Sequence, residues 1–399
     1  MRILYICKSL PHRYQGGIQT HTSELAAHLA QRGHEVYVLT AGSIRKGVQR
    51  FKLNGFTVIE VPYLPMRRFS FLPTLLEELS FNVSAWLWLK KNQSDYDIVH
   101  LQGRSGFLFP KKQNKITVFT TFHGLVTLEN KFSKQILNLD RRIHQRFASY
   151  FEKNAFLNSD AIISVSHEMR HELNALDIQR QEKPRIIIPN GVVVKTSQNE
   201  GNEGIKSDEN TIIFVGRLDR IKGIYQLVKA MKKVDKNVML VMIGDGENRI
   251  QLEELIIKVG VADRVQLVGS QSNDNVLNWI KRGFALVLPS FHETQGIVLL
   301  EANTCGKAVA AANVGGVPEV VTHGYNGLLF NPHDVQEIAN TINELYRSPE
   351  KTKEMGENGR KMVAEKFNWT KIAADTEGVY EQVLASKKSK ENIKLEVAL

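Results

Sequence analysis

The sequence predicts an α/β protein of two Rossmann-like, doubly wound lobes, and three features predict it. Short apolar runs of strand length alternate with amphipathic helical patterns through most of the chain. A polar, glycine-containing stretch, KTSQNEGNEGIKSDEN at residues 195–210, interrupts that alternation near mid-chain. Directly after it, from Thr211, the strand-and-helix rhythm starts again. A stretch so poor in large apolar side chains adds little to a core, so it reads as a linker between two bodies. The expected division is a first lobe at 1–192, a linker at 193–210, a second lobe at 211–368, a last helix at 369–385 and a loose tail at 386–399.

The first lobe opens with a strand over Ile3 to Cys7, a loop holding Gly16-Gly17, and a helix from about Ile18 to Gln31. Arg32-Gly33 supplies an ordinary C-terminal helix signal. Paired glycines let backbone approach a phosphate that a side chain would hold away, although a plain loop needs no such ligand. Strands follow at Glu35 to Thr40, Thr57 to Val61, Ile98 to Leu101 and Thr117 to Phe122. The last of these runs into His123, which places an imidazole at the carboxyl edge where open α/β sheets bind ligands. His100 and His167 also read as following strands, while His12 and His21 read as structural. Asp95-Tyr96-Asp97 spells D-x-D, a spacing that binds divalent metal elsewhere. Here the acids precede a strand, at the wrong end for a ligand site, and read as a solvated turn.

Two further stretches of this lobe are surface candidates. Phe69, Phe71, Leu72, Trp86 and Trp88 lie between Arg67-Arg68 and Lys90-Lys91, with Glu77 and Glu78 ruling out a membrane span. They read either as a core helix with basic ends or as an interfacial surface. A helix from about Phe132 to Leu157 carries Arg141, Arg142 and Arg146, with Lys131 and Lys134 near its start.

The strand Arg185 to Ile188 and the turn Pro189-Asn190-Gly191-Val192 close the first lobe. In the second lobe the strand from Thr211 to Val215 ends at Gly216-Arg217, and Lys222-Gly223 begins a helix. A rigid guanidinium fork and a mobile ammonium beside a helix start suit a diphosphate, against the plainer alternative of surface salt bridges. Strand Val238 to Ile243 ends in Gly244-Asp245-Gly246, but Arg249 occupies the third position of the dinucleotide fingerprint, so no NAD site follows. A strand over Val265 to Val268 ends at Gly269. The apolar run Ala285 to Leu288 then leads through PSFHETQGIVLLE, residues 289–301, into a helix. A phosphate fits the helix start at Gln295 to Ile297. Glu293 and Glu301 stand eight residues apart, about two helical turns, which suits the two ends of a polyol. The competing reading makes Glu293 a helix-start acid and Glu301 a solvated helical residue.

These segments together, VGRLDRIKG at 215–223, PSFHETQGIVLLE, and CGKAVAAANVGGVPEVVTHGYNGLLF from Cys305, resemble the carboxy-terminal half of the family 4 retaining glycosyltransferases of GT-B fold. The match runs in order from about Thr211 to Tyr346, with weaker matches upstream in G-G-I-Q-T-H and P-N-G-V. The resemblance implies a nucleotide-sugar donor held on the second lobe, an acceptor on the first, a cleft between them, and a last helix, 369–385, that crosses back onto the first lobe. It implies that Arg217 and Lys222 neutralise the diphosphate and that Glu293 stabilises the sugar. It further implies Glu301 on the ribose, Gly296 and Ile297 at the phosphate, backbone at Gly269 near the base, Gly16 and Gly17 across from the diphosphate, and His123 near the transferred sugar. No cofactor and no metal are implied. Where E-G-F-G is usual, this chain has Glu293-Thr294-Gln295-Gly296, which bears on donor identity. G-G-V-P-E at 315–319 matches a family element that a structural turn would explain equally well.

Composition narrows the partners. Only Cys7 and Cys305 are present, without C-x-x-C spacing, which fits a reducing, cytoplasmic setting and excludes a structural zinc. Residues 1–190 hold 26 Lys/Arg against 15 Asp/Glu, a net +11, and the remainder comes to −1. A basic first lobe points to an anionic acceptor or an anionic membrane face, with a glycan or lipid-linked acceptor and peripheral contact. Nucleic acid would also explain the charge, but no recognition motif accompanies it. The expected activity is retaining, metal-independent transfer of a hexose or N-acetylhexosamine, from a UDP-sugar in preference to a GDP-sugar. A nucleotide-sugar epimerase of the same fold is the alternative.

Overall fold

A computed structural model describes residues 1–14, 16–66, 73–92, 95–109, 116–126, 139–175, 183–194 and 208–389. The chain forms two compact units, Met1–Asn190 with Trp369–Leu399, and Gly191–Asn368. Each is built on its own sheet.

The first sheet contains β1 (Arg2–Ile6), β2 (Glu35–Ser43), β3 (Gln49–Leu53), β4 (Phe56–Tyr63), β5 (Ile98–Gln102), β6 (Thr117–Phe122), β7 (Ala161–Ser164) and β8 (Arg185–Ile187). Their order is β3-β4-β2-β1-β5-β6-β7-β8, parallel throughout except for the antiparallel edge strand β3. Continuous apolar runs explain this: strands covered on both faces need no polar alternation. β1, β5, β6 and β7 are buried over nearly their whole length. The order reverses between β1 and β5, which is the switch point where such sheets bind ligands beyond the strand ends. β3 was not expected from the sequence, yet its signal is there: Asn54-Gly55 joins it to β4 with both residues at positive φ, the turn that matches strand twist in a two-residue hairpin.

The helix Trp369–Ser389 belongs to the first unit. Its Trp369, Ile372, Ala373, Val379, Tyr380 and Val383 share one core with Ile3, Tyr5, Leu25 and Leu29. A buried polar chain joins it to the sheet: Tyr5 and Tyr380 hydroxyls meet at 2.7 Å, Tyr380 reaches His100 Nδ1 at 2.5 Å, and His100 Nε2 reaches Thr121 Oγ1 at 2.7 Å. His100 therefore lies inside β5 and not after a strand as its sequence context suggested. Burial lowers its pKa to about 3, so it is a neutral bridge in the core.

The second sheet contains β9 (Thr211–Val215), β10 (Met239–Ile243), β11 (Val265–Gly269), β12 (Ala285–Leu288), β13 (Ala308–Ala312) and β14 (Gly327–Phe330), in the order β11-β10-β9-β12-β13-β14, all parallel. Its switch point lies between β9 and β12. Gly244 and Gly246 have a packing reason here: a Cβ on either would fall 1.9 Å from Gly216 O or 2.5 Å from Leu218 O. The Gly-x-Gly pair thus lets the loop after β10 close on the loop after β9.

Two surface expectations are modified. Trp88 is buried in a core cluster with Phe81, Leu89 and Tyr96, so on the helix Pro73–Asn92 the core reading holds for it. Phe69, Phe71, Leu72, Arg67 and Arg68 lie outside the described residues, as do Lys131, Lys134, the 195–207 part of the linker and the tail from 390. The arginine-bearing helix is described over Leu139–Asn158, without the side chains of Arg141 and Arg142; on it Arg146 is exposed, and so are Phe147 and Tyr150. The D-x-D acids stand at the amino edge of β5, where Asp97 accepts a hydrogen bond from the Arg2 backbone N–H at 2.7 Å.

Candidate active site

The switch point of the second sheet brings together the segments that the sequence singled out. β9 and β12 are hydrogen-bonded neighbours, so the loops leaving their carboxyl ends, 216–223 and 289–296, run side by side. Phe291 N–H donates to Ile221 O at 2.7 Å and ties one loop to the other. Gly223, at φ +67, makes this approach feasible, because a Cβ there would sit 1.9 Å from Pro289 O. The pair Lys222 and Glu293, 71 residues apart, meets across this seam with Nζ 2.6 Å from Oε2. Ser290 Oγ donates to the same oxygen at 3.3 Å.

Arg217 stands at the outer end of the site. Its side chain is 63 % exposed and lies 3.2 Å from Asp219 Oδ2. Asp219 also caps the short helical turn Arg220–Lys222 by accepting the Lys222 backbone N–H at 3.2 Å. Burial raises the Asp219 pKa, against the pull of Arg217 and Lys222. Each of the two cations is thus held beside a carboxylate, Arg217 exposed and Lys222 largely enclosed.

The helix Ile297–Thr304 begins directly after Gly296, whose φ of +80 turns the chain into it. Gln295 is buried just before that turn. The backbone of Glu293 is held by the Gly315-Gly316 turn, in which Gly316 N–H donates to Glu293 O at 2.9 Å and a Cβ on Gly315 would lie 2.1 Å from that oxygen. This gives G-G-V-P-E a role that the sequence left open: it braces the loop that carries Glu293. Glu301 lies on this helix, partly buried, and burial pushes its pKa up to about 7. It is not the solvated residue of the plainer reading. Gly269 ends β11 at φ +79 and its carbonyl accepts from Gly244 N–H at 3.0 Å, so Gly269 belongs to the same sheet edge. Among the described residues, no group of three or more His, Cys, Asp or Glu side chains is arranged to hold a metal ion.

Because its folded-state pKa lies above the ordinary carboxylate value, Glu301 makes the native state bind more protons than the unfolded chain between about pH 4.5 and pH 7. Its contribution to stability therefore falls as pH rises through that window and is level above it. Denaturant midpoints for the wild type and Glu301→Gln at pH 5 and pH 8 check this. The variant should gain on the wild type from pH 5 to pH 8, and an unchanged difference would contradict the shift.

In the first unit, Gly16 caps the helix Gly17–Gln31 in extended backbone, beyond the carboxyl end of β1. His123 directly follows β6, with Nε2 2.7 Å from Gln102 Oε1. Burial holds its pKa at about 4, so the imidazole is neutral near pH 7 and donates Nε2–H to Gln102. Several basic side chains at this sheet edge are matched by buried carboxylates: Lys8 with Glu77 at 3.0 Å, Arg13 with Glu60 at 2.7 Å, and Arg104 with Glu78 and Glu152. No sequence rule picks out these pairs, because the partners stand 26 to 69 residues apart. The exposed Arg146 with Phe147 and Tyr150 is a separate feature of this unit.

Residues 195–362 match the family described as Glycosyl transferases group 1, and residues 15–195 match Glycosyltransferase Family 4. An uncharacterized glycosyltransferase of Methanocaldococcus jannaschii is 30% identical over 386 residues, covering 94% of this chain and 97% of that one. The phosphatidylinositol N-acetylglucosaminyltransferase gpi3 subunit of Schizosaccharomyces pombe is 29% identical over 382 residues, covering 92% of this chain and 78% of its own. Among solved structures, sucrose-phosphate synthase from Thermosynechococcus elongatus superposes with a TM-score of 0.80 at 24% identity, covering 96% of this chain and 99% of that one.

Proposed function

Since the chain belongs to the group 1 glycosyltransferases, of family 4 type and GT-B fold, we propose that it moves a hexose or N-acetylhexosamine from a UDP-sugar to a lipid-linked or cell-surface glycan acceptor, with retention at the anomeric carbon and without a metal. The observation that carries this reading is the Lys222–Glu293 contact at 2.6 Å, at the switch point of the second sheet beside Arg217. A diphosphate placed over Lys222 and Arg217 would bring the sugar to Glu293. In the reaction the bond from the anomeric carbon to the diphosphate oxygen breaks, and a bond to the acceptor hydroxyl oxygen forms. The two cations offset charge on the departing diphosphate, the task a metal performs in other enzymes. Glu293 faces the positive charge that develops at the anomeric carbon, and Glu301 accepts from the ribose hydroxyls. Gly296 and Ile297 offer helix-start N–H groups to phosphate, Gly269 offers backbone to the base, and Gly16 and Gly17 with His123 serve the reaction from the first unit.

A thermal-shift screen of nucleotide sugars, run in EDTA and again with magnesium or manganese, tests the reading. A ligand at about 100 times its dissociation constant adds about 2.7 kcal/mol of stability. The expected result is stabilisation by a UDP-sugar to the same extent with and without chelator. A response to GDP-mannose alone would overturn the donor, and a response that needs metal would overturn metal independence.

The acceptor reading rests on the net +11 of residues 1–190 and on exposed Arg146, Phe147 and Tyr150 on one helix. It is supported by the similarity to a phosphatidylinositol N-acetylglucosaminyltransferase subunit. No helix among the described residues is long and apolar enough to cross a membrane, so contact of the proposed kind is peripheral in character. Each basic side chain near an anionic surface contributes about 1 kcal/mol, screened beyond a Debye length of about 8 Å at physiological salt. Co-sedimentation with phosphatidylglycerol vesicles is expected at low salt and lost at high salt. Equal recovery in the supernatant with neutral and anionic vesicles at low salt would point to a soluble acceptor.

A further inference from the structure

His21 reads from sequence as an ordinary structural histidine, but the structure gives it an unusual set of neighbours. It lies on the helix Gly17–Gln31, 3 % exposed. Its ring meets His123 edge to face at a centroid distance of 4.5 Å and Trp369 edge to face at 5.4 Å. The Asn190 side chain approaches both imidazoles. Asn190 and Trp369 are the residues at which the chain leaves the first unit for the second and returns to it. Both crossings therefore rest on His21, and His21 rests on His123.

The packing itself argues for more than filling. A ring this buried usually hydrogen-bonds through at least one nitrogen, because an unmet polar group in the interior costs about 1–3 kcal/mol. The Asn190 side chain is the polar neighbour of the His21 ring, while Trp369 Nε1 has no hydrogen-bond partner among the described residues. The charged form is excluded by burial and by the neighbouring His123 and His100, so the ring acts as a neutral wedge.

We propose that His21 is a positioning residue that couples the two chain crossings, at Asn190 and Trp369, to the imidazole of His123. When nucleotide binds the second unit and the crossings adjust, His21 transmits that adjustment to the ring of His123 and sets its orientation against Gln102. The inference rests on the donor reading above. A spatial chain of contacts does not by itself demonstrate coupling, so the test must measure coupling directly.

The full-length protein labelled with 15N-imidazole histidine serves, with UDP and GDP as probes and His123 assigned by comparison with His123→Gln. In the wild type, nucleotide should displace the His123 ring-nitrogen resonances. His21→Phe keeps the ring contacts and should keep the displacement. His21→Ser removes them and should lose it, while calorimetric affinity for the nucleotide stays as in the wild type. If His21→Ser fails to fold, Trp369→Leu removes the second ring contact and carries the same expectation. A displacement as large in the ring-less variant as in the wild type would show direct contact in place of relay and overturn the proposal, as would nucleotide binding with no displacement in the wild type. Failure of both nucleotides to bind would overturn the donor reading and the relay with it.

Discussion

Lys222→Ala is expected to weaken binding of free UDP more than tenfold. Loss of a charge-assisted hydrogen bond to an anion costs roughly 1.5–3 kcal/mol, and 1.4 kcal/mol is a factor of ten in affinity. Lys222 is also the 2.6 Å partner of Glu293, so its removal alone does not separate a phosphate contact from a structural ion pair. Glu293→Gln separates them. UDP carries no sugar, so this variant should bind UDP at least as well as the wild type, its lysine released from the carboxylate. Transfer from the UDP-sugar should be lost. If instead Glu293→Gln and Lys222→Ala weaken UDP alike, and the double variant is no weaker than either, Lys222 supports the loop and does not hold phosphate. Arg217→Ala should also weaken UDP, by a smaller factor because its side chain is 63 % exposed and shares its charge with Asp219 at 3.2 Å. Isothermal calorimetry gives all four affinities.

Gly223→Ala is expected to lower stability well beyond the cost of an alanine at a left-handed glycine with open space beside it. The residue adopts φ +67, which costs a non-glycine residue about 1–2 kcal/mol by itself. The added Cβ would then sit 1.9 Å from Pro289 O, a backbone atom that cannot rotate away. Relieving that contact requires the loop bearing Glu293 to move off the loop bearing Lys222. Gly260→Ala provides the control, since Gly260 has φ +76 with nothing within 4 Å of the added atom. The difference in thermal midpoint between the two variants isolates the clash from the backbone cost. A Gly223→Ala protein as stable as Gly260→Ala would mean that the seam between the two loops is looser than its geometry implies. In the expected case UDP binding also falls, because the site depends on that seam.

Much of the site was legible in the chain because its parts announce themselves locally. Each of the loops at Gly216-Arg217, Lys222-Gly223 and Glu293 to Ile297 follows an apolar strand run and precedes a helical pattern, a signal that needs no knowledge of distant residues. The positive φ at Gly223, Gly269, Gly296 and Gly315 follows from the residue type. What was missed has two causes. Asn54-Gly55 carried a hairpin signal that was there to be used, and β3 went unassigned because its own residues, QRFKL, are exposed and mostly polar. His100 was misplaced for a different reason: a polar residue in a buried position is paired with a segment far away in sequence, as His100 is with Tyr380.

By itself, the sequence determined the α/β class, the positions of most strands and helices, and the loops and helix that carry Arg217, Lys222, Glu293 and Glu301. All of these rest on local periodicity, turn chemistry and residue type, whose reach is a few residues. Only the tertiary structure decided which strands are neighbours. The order β11-β10-β9-β12-β13-β14 puts β9 beside β12 across the 69 residues 216–284, and from that adjacency come the Lys222–Glu293 contact and the fit of Gly223 against Pro289. It also decided what the last helix meets in the first unit, where Trp369 packs on His21 and Tyr380 reaches His100. Parallel strands joined through long crossovers can be ordered in many ways that satisfy the same local patterns, and the choice among them is made by side-chain packing over the whole sheet.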